Sequence, residues 1–106
     1  MLEVKKEGVI LEPTRLEFES KAVLNPTCIK KGRYVHMFYR AVRKNNVSCI
    51  GYCKLKGPLD VVQRCKHPIL CPEFNYDRDG LEDPRITYID KKHYMFYTVY
   101  AGKNAR

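Results

Sequence analysis

The chain has no apolar run approaching the ~20 residues that a membrane-spanning helix needs. Its first residues, Met1-Leu2-Glu3-Val4-Lys5-Lys6-Glu7, lack the apolar h-region of a secretory leader. Together these absences point to a cytoplasmic protein with no membrane partner. No Cys-x-x-Cys pair occurs among the five cysteines (Cys28, Cys49, Cys53, Cys65 and Cys71), and five is an odd number. That pattern disfavours both a finger-type metal centre and a disulfide framework, and fits a reducing compartment. His36, His67 and His93 lie far apart, and none stands at ligand spacing from a cysteine, so no metal site is expected. Helix-period apolar spacing is missing as well.

What is present is alternation. β-Branched and aromatic residues recur at every second position and are broken by Gly, Pro, Asn and Asp clusters, the signature of strands and hairpins. Gly8 to Pro13 reads as a short strand or extended arm, and Ala22 to Ile29 as a strand ahead of a turn at Lys30-Lys31-Gly32. Tyr34 to Val42 is the clearest strand, with Tyr34, His36, Phe38 and Arg40 on one face and Val35, Met37, Tyr39 and Ala41 on the other. A turn at Asn45-Asn46 leads into Val47 to Cys53, Leu59 to Val62 suits an outer strand, and Pro68 to Pro72 an extended link. Residues 73–82 read as a polar surface loop, and Lys92 to Tyr100 repeats the Tyr34 strand. The fold class is all-β, with antiparallel four-stranded sheets.

The net charge of +8, with a pI near 9.3, raises the question of anionic partners. The cations are scattered, however, and Lys30-Lys31, Arg43-Lys44 and Lys91-Lys92 fall at expected hairpin turns, where they read as solvated tips. Lys31 to Phe38 opens like an RNA-recognition strand but places Arg33 and Val35 where that motif needs aromatics. No nucleic-acid partner is expected.

Two further features carry the functional reading. Gly80-Leu81-Glu82-Asp83-Pro84-Arg85-Ile86-Thr87 sets a carboxylate beside an arginine at the mouth of a strand, and the following proline is expected to hold Asp83 extended. Asn25 and Asp83, Pro26 and Pro84, Met37 and Met95, Phe38 and Phe96, and Tyr39 and Tyr97 each stand 58 positions apart. Self-similarity at such a spacing is what propeller blades leave behind. Equivalent blade positions converge on a central channel, so Asn25, Arg40, Asp83 and Arg85 are expected to face one pocket.

A repeat of 58 fits less than twice into 106 residues, whereas a propeller needs about four to eight blades. The chain therefore reads as about two N-terminal blades, with repeat units at about 20–70 and 78–106, completed by remaining blades or by further copies of itself. Its last residues stop just after a strand, as in a truncated chain.

The ordered series Leu24-Asn25-Pro26, Met37 to Val42, Ser48-Cys49-Ile50-Gly51, Pro68-Ile69-Leu70 and Gly80 to Thr87 resembles glycoside hydrolase family 130, the β-mannoside phosphorylases and β-mannosidases. The resemblance spans roughly Leu11 to Ala101 and only the N-terminal third or so of a family member. It implies a five-bladed β-propeller that cleaves β-mannosidic bonds with inversion, by hydrolysis or by attack of inorganic phosphate to release α-mannose 1-phosphate. It implies Asp83 as the proton donor, acting through a sugar hydroxyl, and Asn25 and Arg40 as residues that hold the sugar; Ser48 and Arg85 complete the expected substrate-binding set. The partner implied is a β-mannoside oligosaccharide; no cofactor is implied beyond inorganic phosphate as a possible co-substrate.

An inverting hydrolase needs an acid and a base, whereas phosphate as nucleophile leaves one acid sufficient. The residues that would separate those two cases lie in later blades of the family. A chain of this extent alone is expected to turn over nothing. Cys49 departs from the pattern, standing where family members commonly carry arginine, and a thiol cannot replace that planar fork of donors. The alternative reading is a non-catalytic carbohydrate-binding or assembly module on the same scaffold.

Overall fold

Strand-forming alternation produces seven strands in the computed structural model of the chain, which describes residues 2–102, 104 and 105. Strands β1 (Ala22–Lys31), β2 (Tyr34–Val42), β3 (Ser48–Lys56) and β4 (Asp60–Arg64) form a four-stranded antiparallel meander. Strands β5 (Gly80–Ile89), β6 (Lys92–Ala101) and β7 (Asn104–Ala105) begin a second one. A single parallel bridge, Ser48↔Gly80, joins the two meanders. Gly80 is needed there: its φ is +141°, and a Cβ would lie 2.9 Å from the Ser48 backbone nitrogen. The only helical element among the described residues is a 3-10 turn, Glu17–Glu19. No helix in the described residues is long and apolar enough to cross a membrane.

The two faces read from the Tyr34 strand separate two cores. Met37, Tyr39 and Ala41 join Phe18, Cys53 and Leu55, and Leu11 of the N-terminal arm packs against them. On the opposite face Phe38 and Ile50 meet Leu81, Met95 and Val99 of the second meander, with Leu70 of the connection. Burying a side chain such as Ile50 or Leu81 stabilises the contact by roughly 1.5–3 kcal/mol. The meanders therefore stack face to face, as successive propeller blades do. Residues 8–13 form an arm rather than a strand, and residues 80–82, expected in a loop, already belong to β5. Of the cysteines inside strand patterns, Cys49 and Cys53 are buried, whereas Cys28 faces solvent.

Among the described residues, one charged side chain is fully inside. Glu19 has no exposed surface, and three donors hold it: the Tyr39 hydroxyl at 2.7 Å, the Thr14 hydroxyl at 2.6 Å and the Arg64 guanidinium at 2.7 Å. Arg64 also lies over the Tyr39 ring, 5.8 Å from its centroid. A buried carboxylate persists only when paired and hydrogen-bonded in this way. Gly51 belongs to the same arrangement, since a Cβ there would meet the Tyr39 ring at 2.5 Å.

Glu19→Ala strands the Arg64 charge and should lower stability in urea unfolding by about 3–5 kcal/mol. Tyr39→Phe, which removes one buried hydrogen bond, should cost about 1–2 kcal/mol. A separate expectation concerns alkali. Burial pushes the Cys49 thiol up to about 12 and the Cys53 thiol up to about 11 from an ordinary 9.0. Burial, reinforced by Glu19, also raises the Tyr39 phenol. All three keep their protons in the folded chain while the unfolded chain loses them, so stability is full below about pH 9 and falls as pH rises toward about 11. Melting temperatures recorded from pH 7 to pH 11 should be flat and then decline; a flat profile throughout would contradict the assignment.

Candidate active site

The proline-containing repeats form β-bulges. In β1 the pairing jumps from Leu24↔Arg40 to Thr27↔Phe38, so Asn25 and Pro26 together oppose Tyr39 alone. In β5 it jumps from Glu82↔Thr98 to Arg85↔Phe96, so Asp83 and Pro84 together oppose Tyr97 alone. Each is a two-against-one bulge, which bends a strand and re-aims a side chain. Proline suits the unpaired position because it has no N–H to leave without a partner.

The expectation that Asp83 is extended is overturned. Asn25 has φ +48° and Asp83 has φ +50°, both in the left-handed region. The bulge requires that turn of the backbone, and it outweighs the restriction a following proline imposes. Asn and Asp are the non-glycine residues that occupy this region most readily, because their short polar side chains bond locally.

The two bulges meet. The Asn25 amide Nδ2 donates to Asp83 Oδ1 at 2.7 Å. No other hydrogen bond to the Asp83 carboxylate occurs among the described residues, which leaves Oδ2 available to a ligand. Asp83 is half-buried and Asn25 is exposed.

Beside this pair runs a second chain of contacts. The Arg40 Nε donates to the Ser48 hydroxyl at 2.7 Å, and its Nη1 lies 3.2 Å from Glu82 Oε1. Arg40 and Glu82 are both about one-fifth exposed, so this pair is screened less than a surface one. Arg40 thus ties β2 and β3 of the first meander to β5 of the second, one residue from Asp83. Glu82 is a member of the site that the sequence places in the right string without giving it a role; its signal was its position directly before Asp83.

Arg85 stands apart. It opposes Phe96 across the β5–β6 ladder, and its guanidinium donates to the Pro84 carbonyl at 2.8 Å. It makes no ion pair with Asp83 among the described residues. Cys49 is also elsewhere: it is fully buried, with its sulfur 3.2 Å from that of Cys71. A separate hollow lined by Leu11, Val23, Leu24, Pro26, Met37 and Tyr39 flanks the first bulge, but its lining is apolar and suits packing rather than sugar. The His36 Nδ1 lies 2.7 Å from the Tyr52 hydroxyl, and His93 packs on the Tyr88 ring.

Comparison with known proteins bears on the family and the fold. The family profile described as β-1,4-mannooligosaccharide phosphorylase matches residues 6–106. The chain is 37% identical over 111 residues to a β-1,2-mannobiose phosphorylase of Thermoanaerobacter sp. (strain X514), covering 90% of this chain and 36% of the relative. It is 29% identical over 113 residues to a 1,2-β-oligomannan phosphorylase of the same strain, covering 97% of this chain and 38% of the relative. It therefore spans little more than a third of the length of these relatives. A crystal structure of a glycosyl hydrolase from Bacteroides ovatus superposes with a TM-score of 0.82 at 23% identity, over 92% of this chain and 33% of that one. The fold is part of a five-bladed β-propeller, of which these residues form about two blades.

The bulge separates the shape of position 83 from its chemistry. Asp83→Gly tolerates positive φ and should stay within about 1 kcal/mol of the unsubstituted chain in thermal unfolding. Asp83→Val forces a β-branched residue into the left-handed region and should lose roughly 1–2 kcal/mol. Equal stability of the two variants would show that the bulge does not need the turn assigned to it.

Proposed function

The chain belongs to glycoside hydrolase family 130, and from that premise we propose that it forms the N-terminal part of an enzyme that cleaves β-mannosides with inversion, transferring the glycosyl group to inorganic phosphate. The observation that carries this reading is the hydrogen bond between Asn25 and Asp83, which brings equivalent positions of two blades to one point. Phosphorolysis is favoured over hydrolysis by the names of both curated relatives.

In this reading Asp83 is the acid. Its Oδ1 is held by the Asn25 amide, and Oδ2 is the oxygen that gives its proton, through a sugar hydroxyl, to the departing glycosidic oxygen. General acid catalysis of this kind contributes about 10²–10⁴-fold. Asn25 orients the carboxyl and keeps an acceptor oxygen for the sugar. Arg40, fixed by Ser48 and Glu82, presents its remaining N–H donors to substrate hydroxyls, with Ser48 at its side. Arg85 is proposed to offer the donors not engaged by the Pro84 carbonyl. Phosphate would be bound by residues outside this chain. The setting proposed is the cytosol, a reading favoured by five free cysteines.

The test uses the full-length protein with β-1,2- and β-1,4-mannobiose, with and without phosphate. Phosphate-dependent release of mannose 1-phosphate is expected, falling about 10²–10⁴-fold in Asp83→Asn. Release of free mannose without phosphate would make the protein a hydrolase. Binding without turnover would make it a carbohydrate-binding module, and full activity in Asp83→Asn would remove Asp83 from the chemistry.

A further inference from the structure

Two cysteines that play no part in the sugar site face each other where the connection between the blades returns to β3. An isolated antiparallel bridge joins Ile50 to Leu70. The Ile50 N–H donates to the Leu70 carbonyl at 2.9 Å, and the Ile69 N–H donates to the Ile50 carbonyl at 2.8 Å. One position further along, antiparallel register sets Cys49 opposite Cys71. Positions next to a hydrogen-bonded pair form a non-hydrogen-bonded pair, whose Cα atoms lie roughly 4.5 Å apart. Disulfides form at Cα separations of roughly 4.4–6.8 Å, so the backbone already has the required approach. The sulfurs themselves are 3.2 Å apart, and both are free thiols.

The two thiols are unlike. Cys49 is fully enclosed, whereas Cys71 is half-buried and is the one a small reagent reaches first. The Arg43 guanidinium donates to the Cys71 sulfur at 3.8 Å, a cationic partner where negative charge develops as the S–H bond breaks. An accessible sulfur beside a cation, with a second sulfur poised to resolve it, is the arrangement of a redox-sensitive pair.

We propose that Cys49 and Cys71 are a modification site that closes to an intrachain disulfide on exposure to a peroxide. In the first step the Cys71 sulfur displaces hydroxide from hydrogen peroxide; the O–O bond breaks, and the thiol proton leaves with the hydroxide as water. In the second step the Cys49 sulfur attacks the resulting sulfenic acid, the S–O bond breaks, and the hydroxyl leaves with the Cys49 proton as a second water. Two thiols are oxidised to one disulfide, and one peroxide is reduced to two waters. The bond fastens the connection between the blades to β3, next to Ser48, the residue that holds Arg40. The inference stands whether or not the chain acts on sugars.

The native chain is treated with hydrogen peroxide in non-denaturing buffer, remaining thiols are alkylated, and tryptic peptides are weighed. The expected result is a Cys49–Cys71 cross-linked peptide that dithiothreitol separates, with the melting midpoint of the oxidised chain raised by several degrees. Cys71→Ser should abolish both effects, and Cys28→Ser, at an exposed position, should abolish neither. Recovery of Cys49 and Cys71 as separate alkylated or over-oxidised peptides, while other cysteines pair, would overturn the proposal. So would a cross-link that forms only in denaturant.

Discussion

The arrangement of the whole site depends on two bulges in which a polar residue and a proline together face one tyrosine. In a regular strand, side chains alternate between faces, and neither Asn25 nor Asp83 would be turned toward the other. The extra residue breaks that alternation at one place in each blade, and the positive φ of the polar residue redirects its side chain. The proline that follows removes the N–H that the bulge would otherwise leave unpaired. Sequence identity at a 58-residue offset is thus the trace of a repeated backbone defect. Pairing between its two copies, Asn25 to Asp83, is how the defect becomes a site.

Around this point the polar groups are held by elements from both blades. Arg40 lies between Ser48, at the start of β3, and Glu82, on β5, so its position depends on how the blades meet. That meeting is fixed by the close backbone approach at Ser48↔Gly80 and by the apolar contact of Ile50 with Leu81 and Val99. The outer face of the first blade is stabilised differently, by Glu19 and its three donors. That carboxylate ties the 3-10 turn to β2 and β4, on the face of β2 opposite Arg40. The Glu19 network and the site therefore rest on opposite faces of β2, and the alternation of that strand assigns Tyr39 to one and Arg40 to the other.

Much of this was legible in the sequence. Strand positions, the two faces of β2 and the blade repeat follow from local alternation and spacing, and the family from the resemblance of an ordered series of motifs. The convergence of Asn25 and Asp83 followed from the repeat alone. What the sequence hid was set by tertiary context. A proline after Asp83 suggests extended backbone, and only the register shift opposite Tyr97 reveals the left-handed turn. Arg85, two residues beyond Asp83 in the chain, makes no ion pair with it among the described residues and opposes Phe96 beyond the bulge. Glu19 gave no signal at all, since nothing local distinguishes a buried carboxylate from a solvated one. Cys49 and Cys71 carry no motif, and only the Ile50↔Leu70 bridge brings them together.

The divergence of the repeat is as informative as its conservation of shape. The two repeats share proline, methionine, phenylalanine and tyrosine, but one bulge holds an amide and the other an acid. Two carboxylates at hydrogen-bond distance would repel and could not both ionise without cost. Two amides would meet without supplying a proton. An asparagine facing an aspartate avoids both outcomes: the neutral donor occupies one carboxylate oxygen, fixes the plane of the group and leaves the other oxygen open. A backbone feature present twice thus yields one carboxyl group and one neutral donor, and that asymmetry suits the proposed reaction, which needs a single proton donor.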